Sequence, residues 1–336
     1  MKKVTCAGIL VADLIAADLP RVSPPGGITF APYGIGLHIG GHAANVSIDL
    51  VGLGLKASEV GCVGAVGKDI FGSFLERALK QHRISVRLQR TGEGATSVDL
   101  ILVVQGEDRR FHCHVGANAL LEPDFVMRFV YRDRPKVFYV GGVGLMDRFD
   151  RELKAVLKEV KELGSLTFVD PVMPQNKSWS HLRQALPAID ILHCNEEEAQ
   201  SLTGRVSLER AMRELLSSGV SLVLVTKGRK GVAAGRRGQL LTLDGFAVDP
   251  VDPTGAGDAF CAALIRKVVQ EVQRRGQPTL DWTDQRLVPI LVEAQAAGAA
   301  CVTGIGTTSA VKRRNVASLL SAQASRVRES LSIRPL

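Results

Sequence analysis

Val251-Asp252-Pro253-Thr254-Gly255-Ala256-Gly257-Asp258-Ala259-Phe260 reads as a tight glycine turn that opens a helix. Phe260, Leu264, Val268 and Val272 recur at every fourth position and set one apolar stripe. Arg274 and Arg275 fill the last turn, Gly276 follows and Pro278 closes the helix. Gly255, Ala256 and Gly257 therefore sit at the helix N-terminus. Small side chains let a ligand reach the backbone there, and free N–H groups with the helix dipole attract an anion. Asp258 is the odd member, because a carboxylate in an anion site repels the anion unless it has chemical work to do. Beside a phosphoryl group that work is taking a proton from an attacking hydroxyl. The purely structural alternative is a capped helix with a tight entry turn.

A chain of 336 residues holds a large α/β domain with a small appendage. Its apolar fraction of 46% suffices for a core, and with 5% aromatics that core is mainly aliphatic. No apolar run is long enough to span a membrane. Met1 to Ala12 loosely mimics a secretory leader, but Asp13 follows at once and no small-residue cleavage site is present, so a first buried strand and a cytoplasmic location are expected. Six scattered cysteines show no C-x-x-C pair and read as buried free thiols. The net charge of +8 is dispersed, with Lys312-Arg313-Arg314 as its longest cluster and no nucleic-acid motif.

Along the chain, Val4 to Leu10 reads as a buried strand ending near Asp13, and the carboxyl ends of such strands are where open α/β sheets bind ligands. A surface-loop acid is the alternative for Asp13. Gly40-Gly41-His42-Ala43-Ala44-Asn45 opens a helix of small residues, with Asn45 one turn in, and Asp69 and Gly72 belong to a structural turn. Thr96 to Val104, the turn Gly106-Glu107-Asp108, and Arg109 to Val115 form a hairpin. With the Ile28-Thr29-Phe30 region it would build a small separate sheet. His112 and His114 alternate and so share one strand face, as lining of a polar pocket or a lid interface. From Val137 onward, strands (Val137–Val140, Leu166–Val169, Ile189–Cys194, Leu222–Thr226) alternate with helices such as Arg151–Leu163, the pattern of a parallel sheet covered on both faces. Acids at Asn195-Glu196-Glu197-Glu198 complement a helix dipole. Ala294 to Val302 is a small-residue helix able to pack on the Asp258 helix.

Asp-Pro-Thr-Gly-Ala-Gly-Asp-Ala-Phe at 252–260 resembles the C-terminal signature of the ribokinase-like (PfkB) carbohydrate kinases. The Gly41–Asn45 helix start, Leu53-Gly54 and Val66-Gly67-Lys68-Asp69-Ile70-Phe71-Gly72 resemble its N-terminal signature. The resemblance covers nearly the whole chain. It implies a ribokinase-like α/β three-layer sandwich over residues 1–336, with a mainly parallel central sheet and a β-sheet lid from segments near 14–39 and 95–115. It also implies a phosphotransferase in which Asp258 is the base and the N–H groups of Gly255, Ala256 and Gly257 hold the transferring phosphoryl. Asp13, Gly41, His42 and Asn45 would bind the sugar. Asn195 and Glu198 would arrange Mg²⁺ and phosphate, with Thr226, Gly228, Gly304 and Gly306 beside ATP. Asp252 and Thr254 would hold K⁺.

Gly141-Gly142 stands where ribokinase places a substrate-facing acid, and His42 replaces its lysine, so ribose is in doubt as the acceptor. A small sugar is expected, with a nucleoside as the second reading and a non-catalytic sugar or nucleotide sensor as the reading of another class. Arg109 and Arg110 leave a phosphorylated sugar open. An apolar lid face of Phe30, Leu100, Leu102 and Phe111 would pair in a homodimer. Neither nucleic acid nor membrane is expected as a partner.

Overall fold

A computed structural model describes residues 2–107, 109–175, 178–236, 238–276 and 283–336. Asp108 and Pro278 lie outside these described residues. In chain order the elements are β1 (Val4–Gly8), β2 (Val11–Leu19), β3 (Ile35–Gly40), α1 (His42–Gly52), β4 (Val60–Gly67), α2 (Ile70–Gln81), β5 (Ser85–Thr91), β6 (Val98–Val104) and β7 (Arg110–His114). Then follow α3 (Pro123–Asp133), β8 (Val137–Val143), α4 (Asp147–Arg151), α5 (Leu153–Glu162), β9 (Leu166–Pro171), α6 (Ser180–Ala185), β10 (Ile191–Asn195), α7 (Glu196–Thr203), α8 (Leu208–Ser217) and β11 (Leu222–Thr226). The chain closes with β12 (Val232–Arg236), β13 (Gln239–Leu243), α9 (Ala256–Arg275), α10 (Asp284–Cys301), α11 (Arg313–Glu329) and β14 (Ser332–Pro335).

Ten strands form one sheet in the order β14-β13-β12-β11-β10-β9-β8-β1-β4-β5. From β5 to β11 every pairing is parallel, and β12 to β14 extend the edge by antiparallel hairpins. Strand alternation splits the core in two. Cys6, Tyr139, Phe168 and Leu224 face a layer built from α1, α2, α9, α10 and α11. Their neighbours Ala7, Val140, Val169 and Val225 face α3 to α8. Buried strands in a doubly covered sheet must be apolar on both faces, which is why they read as continuous hydrophobic runs. Phe260, Leu264, Val268 and Val272 are all buried, as their spacing requires. Among the described residues no helix is long and apolar enough to cross a membrane.

A separate four-stranded sheet, β3-β2-β6-β7, makes the lid. Its composition differs from expectation. Residues 28–30 form no strand, because Pro24, Pro25, Gly26, Gly27 and Pro32 crowd a segment that cannot supply a ladder of N–H donors. The strands come instead from Val11–Leu19 and Ile35–Gly40. Asp13 therefore lies within a lid strand and not past the end of β1, which stops at Gly8. Between β1 and β2 the backbone groups of Leu10 are satisfied by the Asn118 side chain, through N–H to Oδ1 at 3.0 Å and Nδ2 to the carbonyl at 3.0 Å.

Register corrects the lid faces as well. Phe111 pairs with Ile101, so it faces away from Leu100 and Leu102. His112 and His114 do share a face, but it is the one opposite Asp13. Arg151–Leu163 is interrupted at Glu152, which separates α4 from α5. Five cysteines are buried, whereas Cys113 on β7 is exposed. Asp69 is structural, as expected: it caps α2 through Gly72 N–H at 2.8 Å and accepts from Thr96 N–H at 2.7 Å.

Candidate active site

The turn before α9 is held from both sides. Gly255 caps the helix with φ 82°, a left-handed conformation, and a Cβ there would stand 2.8 Å from Thr307 Cβ and from its carbonyl oxygen. Only glycine meets both conditions without strain. Asp252, fully buried, accepts from Thr254 N–H at 2.9 Å and from Gly306 N–H at 3.0 Å. The carbonyls of Thr254 and Thr307 both accept from the Cys301 thiol, at 3.4 and 3.0 Å. The loop after α10 thus braces the turn, and the N–H groups of Ala256, Gly257 and Asp258 open a 20-residue helix with no acceptor within it. Gly306 also abuts His38 of the lid, while Gly304 packs against Ser309 and Ala310.

Asp258 is 7% exposed. Its Oδ2 accepts from Asn45 Nδ2 at 2.8 Å, and its Oδ1 is buried with no hydrogen-bond partner. Asn45 is itself oriented, since Thr307 Oγ1 donates to its Oδ1 at 2.7 Å. Burial raises the Asp258 pKa above the usual carboxylate range, opposed by the positive charge of His42. Gly41 caps α1 and places His42 so that single atoms of His42, Asp170 and Asp258 lie within 4.8 Å of one another. Burial works against a charged His42, but Asp258, Asp170, Glu198 and Asp99 outweigh it and raise its pKa. A Cβ at Gly141 would stand 2.4 Å from His42 Cβ and 2.5 Å from the Tyr139 hydroxyl. Position 141 therefore has no room for a side chain between His42 and Tyr139.

Behind these residues runs a buried polar chain in which Thr226 is expected from the sequence but His193, Asp170, Tyr139 and Cys261 are not. Thr226 Oγ1 lies 3.2 Å from His193 Nε2, and His193 Nδ1 lies 2.8 Å from Asp170 Oδ1. Tyr139 donates to Asp170 Oδ2 at 2.9 Å, and the Cys261 thiol also donates there at 3.5 Å. Burial disfavours both charges of the pair, yet their attraction raises the His193 pKa and lowers that of Asp170. Asp170 carried a usable signal, since it ends a parallel strand where ligands bind. His193 showed only as a lone polar residue in an apolar run.

Asn195 and Glu198 form a reciprocal capping box at α7, with Glu198 N–H to Asn195 Oδ1 and Asn195 N–H to Glu198 Oε2 both at 2.8 Å. The cap uses Glu198 Oε2 and does not engage Oε1. Gly228 has open space over its Cα. A buried Thr254 Oγ1 without a partner stands beside Asp252. These features fit an anion at α9, a hydrated divalent cation near α7 and a monovalent cation at Thr254.

The family model of the pfkB family carbohydrate kinases matches residues 1–314. A fructokinase of Solanum tuberosum is 32% identical over 278 residues, covering 81% of this chain and 82% of the relative. The solved ribokinase of Giardia lamblia superposes with TM-score 0.83 at 20% identity, over 96% of this chain and 99% of that one. The Xylella fastidiosa fructokinase solved with bound ATP gives TM-score 0.78 at 22% identity, over 96% and 100%. A glycine turn braced by Asp252, a buried Asp258 held by Asn45, and a lid over both agree with that match: the chain belongs to the pfkB family of carbohydrate kinases.

Proposed function

We propose that this enzyme transfers the γ-phosphoryl group of ATP to a hydroxyl of a small sugar, with Asp258 as general base. The observation that carries the reading is Asp258 Oδ1, buried and unpartnered in the first turn of α9, whose opening N–H groups have no acceptor within the helix. The acceptor hydroxyl gives its proton to Oδ1 as its oxygen bonds to the γ-phosphorus, ADP departs, and the proton later passes to solvent. The N–H groups of Ala256 and Gly257 take up the charge on the transferring phosphoryl, with Gly255 shaping their approach. Asp13, Gly41, His42 and Asn45 orient the sugar. Thr226 and Gly228 border the nucleotide, and Gly306 braces the turn beside it. Asn195 and Glu198 would hold Mg²⁺ through water, and the ion would supply charge neutralisation on the ATP phosphates. Lid closure excludes water, the competing acceptor.

The sequence relatives support a free sugar over a nucleoside. A coupled ADP-release screen with fructose, ribose and adenosine tests the reading. Turnover of fructose or ribose at least tenfold more efficient than of adenosine supports it; the reverse order makes the protein a nucleoside kinase. Release with none makes it a sensor.

Two finer features belong to the same reading. K⁺ at Asp252 and Thr254 would order the turn, supported by the orphaned Thr254 hydroxyl; equal rates in potassium and in tetramethylammonium remove it. Ile35, Leu37 and Leu100 are exposed on the outer lid face and support a homodimer there; a monomer by light scattering at micromolar concentration removes that. The reading treats residues 1–336 as one kinase domain. It places the enzyme in the cytoplasm, where ATP is at hand and six free thiols stay reduced.

A further inference from the structure

The inner face of the lid carries a row of four polar side chains. Strand register sets His38, Asp13, Asp99 and Cys113 side by side across β3, β2, β6 and β7. Asp13 is 3% exposed, and its carboxylate has no hydrogen-bond partner among the described residues. Asp99 is half-buried beside it. Burial first, then the charges of Asp99, Asp252 and Asp258, push Asp13 well above its usual range. Burial likewise raises Asp99, and partial shielding of its sulfur from water, then the neighbouring Asp99, holds the Cys113 thiol up at about 12. Among the described residues no lysine or arginine forms an ion pair with Asp13, Asp99, Asp252 or Asp258. Arg110 pairs with Glu107 on the opposite face. Arg109 stacks 5.3 Å from the Phe111 ring centroid, one row further out on the inner face.

Two adjacent carboxylates facing a buried base have a defined chemical use. They accept hydrogen bonds from several hydroxyls at once, and whatever charge the pair carries is negative and unfavourable to an anion. We propose that Asp99 is a specificity-determining residue which, with Asp13, forms a two-carboxylate receptor on the inner lid face that selects an uncharged sugar over a phosphorylated or acidic one. The proposal rests on the sugar-kinase reading of this site and narrows its acceptor class.

The test measures kcat/KM of the full chain for fructose, ribose, fructose 6-phosphate and gluconate. The better neutral sugar is expected to exceed both anions by at least 100-fold. Asp99→Asn keeps the shape and removes the ionisable acid. It should raise the KM of the neutral sugar at least tenfold, narrow its preference over fructose 6-phosphate at least tenfold, and leave the KM of ATP and the Tm in place. Asp99→Leu, which also removes the acceptor atoms, should raise the sugar KM further. Wild-type preference for fructose 6-phosphate would assign the inner face to Arg109 and overturn the proposal. So would an unchanged preference in both variants. Wild-type turnover of none of the four compounds is a different failure, that of the sugar-kinase reading itself.

Discussion

Asn45 donates its side-chain N–H to Oδ2 of Asp258 at 2.8 Å, joining two glycine-led helix starts through residues 213 positions apart. One bond thereby fixes the base against the helix that caps the acceptor pocket, and Thr307 fixes Asn45 in turn.

Removing that donor has a predictable sign. The Asn45 hydrogen bond lowers the Asp258 pKa, and Asp258 must be ionised to receive a proton. Asn45→Ala therefore moves the acid limb of the kcat profile to higher pH. The limb should move up by roughly one to two pH units, since a hydrogen bond to a charged group is worth about 1.5–3 kcal/mol. Thr307→Val should shift the limb the same way by less. A limb that stays in place in both variants would contradict the role given to Asn45.

His193 and Asp170 are predicted to matter for stability. Breaking a buried pair leaves an uncompensated charge and costs about 3–5 kcal/mol, so His193→Ala should lower the Tm markedly. The raised His193 pKa gives stability present below the unfolded value of 6.5 and lost as pH rises through the folded one. The lowered Asp170 pKa gives stability present above 3.8 and lost as pH falls through the folded one. The Tm gap between wild type and His193→Ala should thus be widest between pH 4 and 6.5 and shrink in alkali. A gap that widens in alkali would show the histidine buried neutral.

Asp49 on α1 is fully buried, with neither carboxylate oxygen hydrogen-bonded. Burial, then Asp258, pushes its pKa well above 3.8, so the folded state holds its proton more tightly and loses stability as pH rises toward the folded pKa. Asp49→Asn imitates the protonated acid. Its Tm gain over wild type should be larger at pH 8 than at pH 5, read by calorimetry. A loss at pH 8 would mean that Asp49 is ionised and held by a partner.

The two signature turns were legible because a glycine turn, a cap and a helix stripe are written in consecutive residues. Gly255 to Val272 needed nothing outside itself. The parallel sheet was legible for the same reason, in apolar runs such as Leu222–Thr226. The lid was only half legible. Its hairpin showed as β-prone pieces around a turn, but which way Phe111 points depends on pairing with Ile101, and register is a relation between strands. Asp13 was singled out, although its strand was misplaced, because an apolar run does not reveal where the chain changes sheets. The His193–Asp170 pair was not read at all. Its members are 23 positions apart and meet only when β9 and β10 lie side by side.

Asp258 carries the proposed chemistry most directly, and Asp258→Asn measured for kcat and for ATP affinity on the same preparation tests that role. The substitution keeps the shape and removes both the base and its charge. The expected result is a kcat lower by roughly 10²–10⁴ with an unchanged Tm. ATP binding should be retained or tighter, because a negative charge beside the γ-phosphate is gone. Undiminished turnover would contradict the mechanism, and a fall in Tm with weakened ATP binding would reduce Asp258 to a support for its helix.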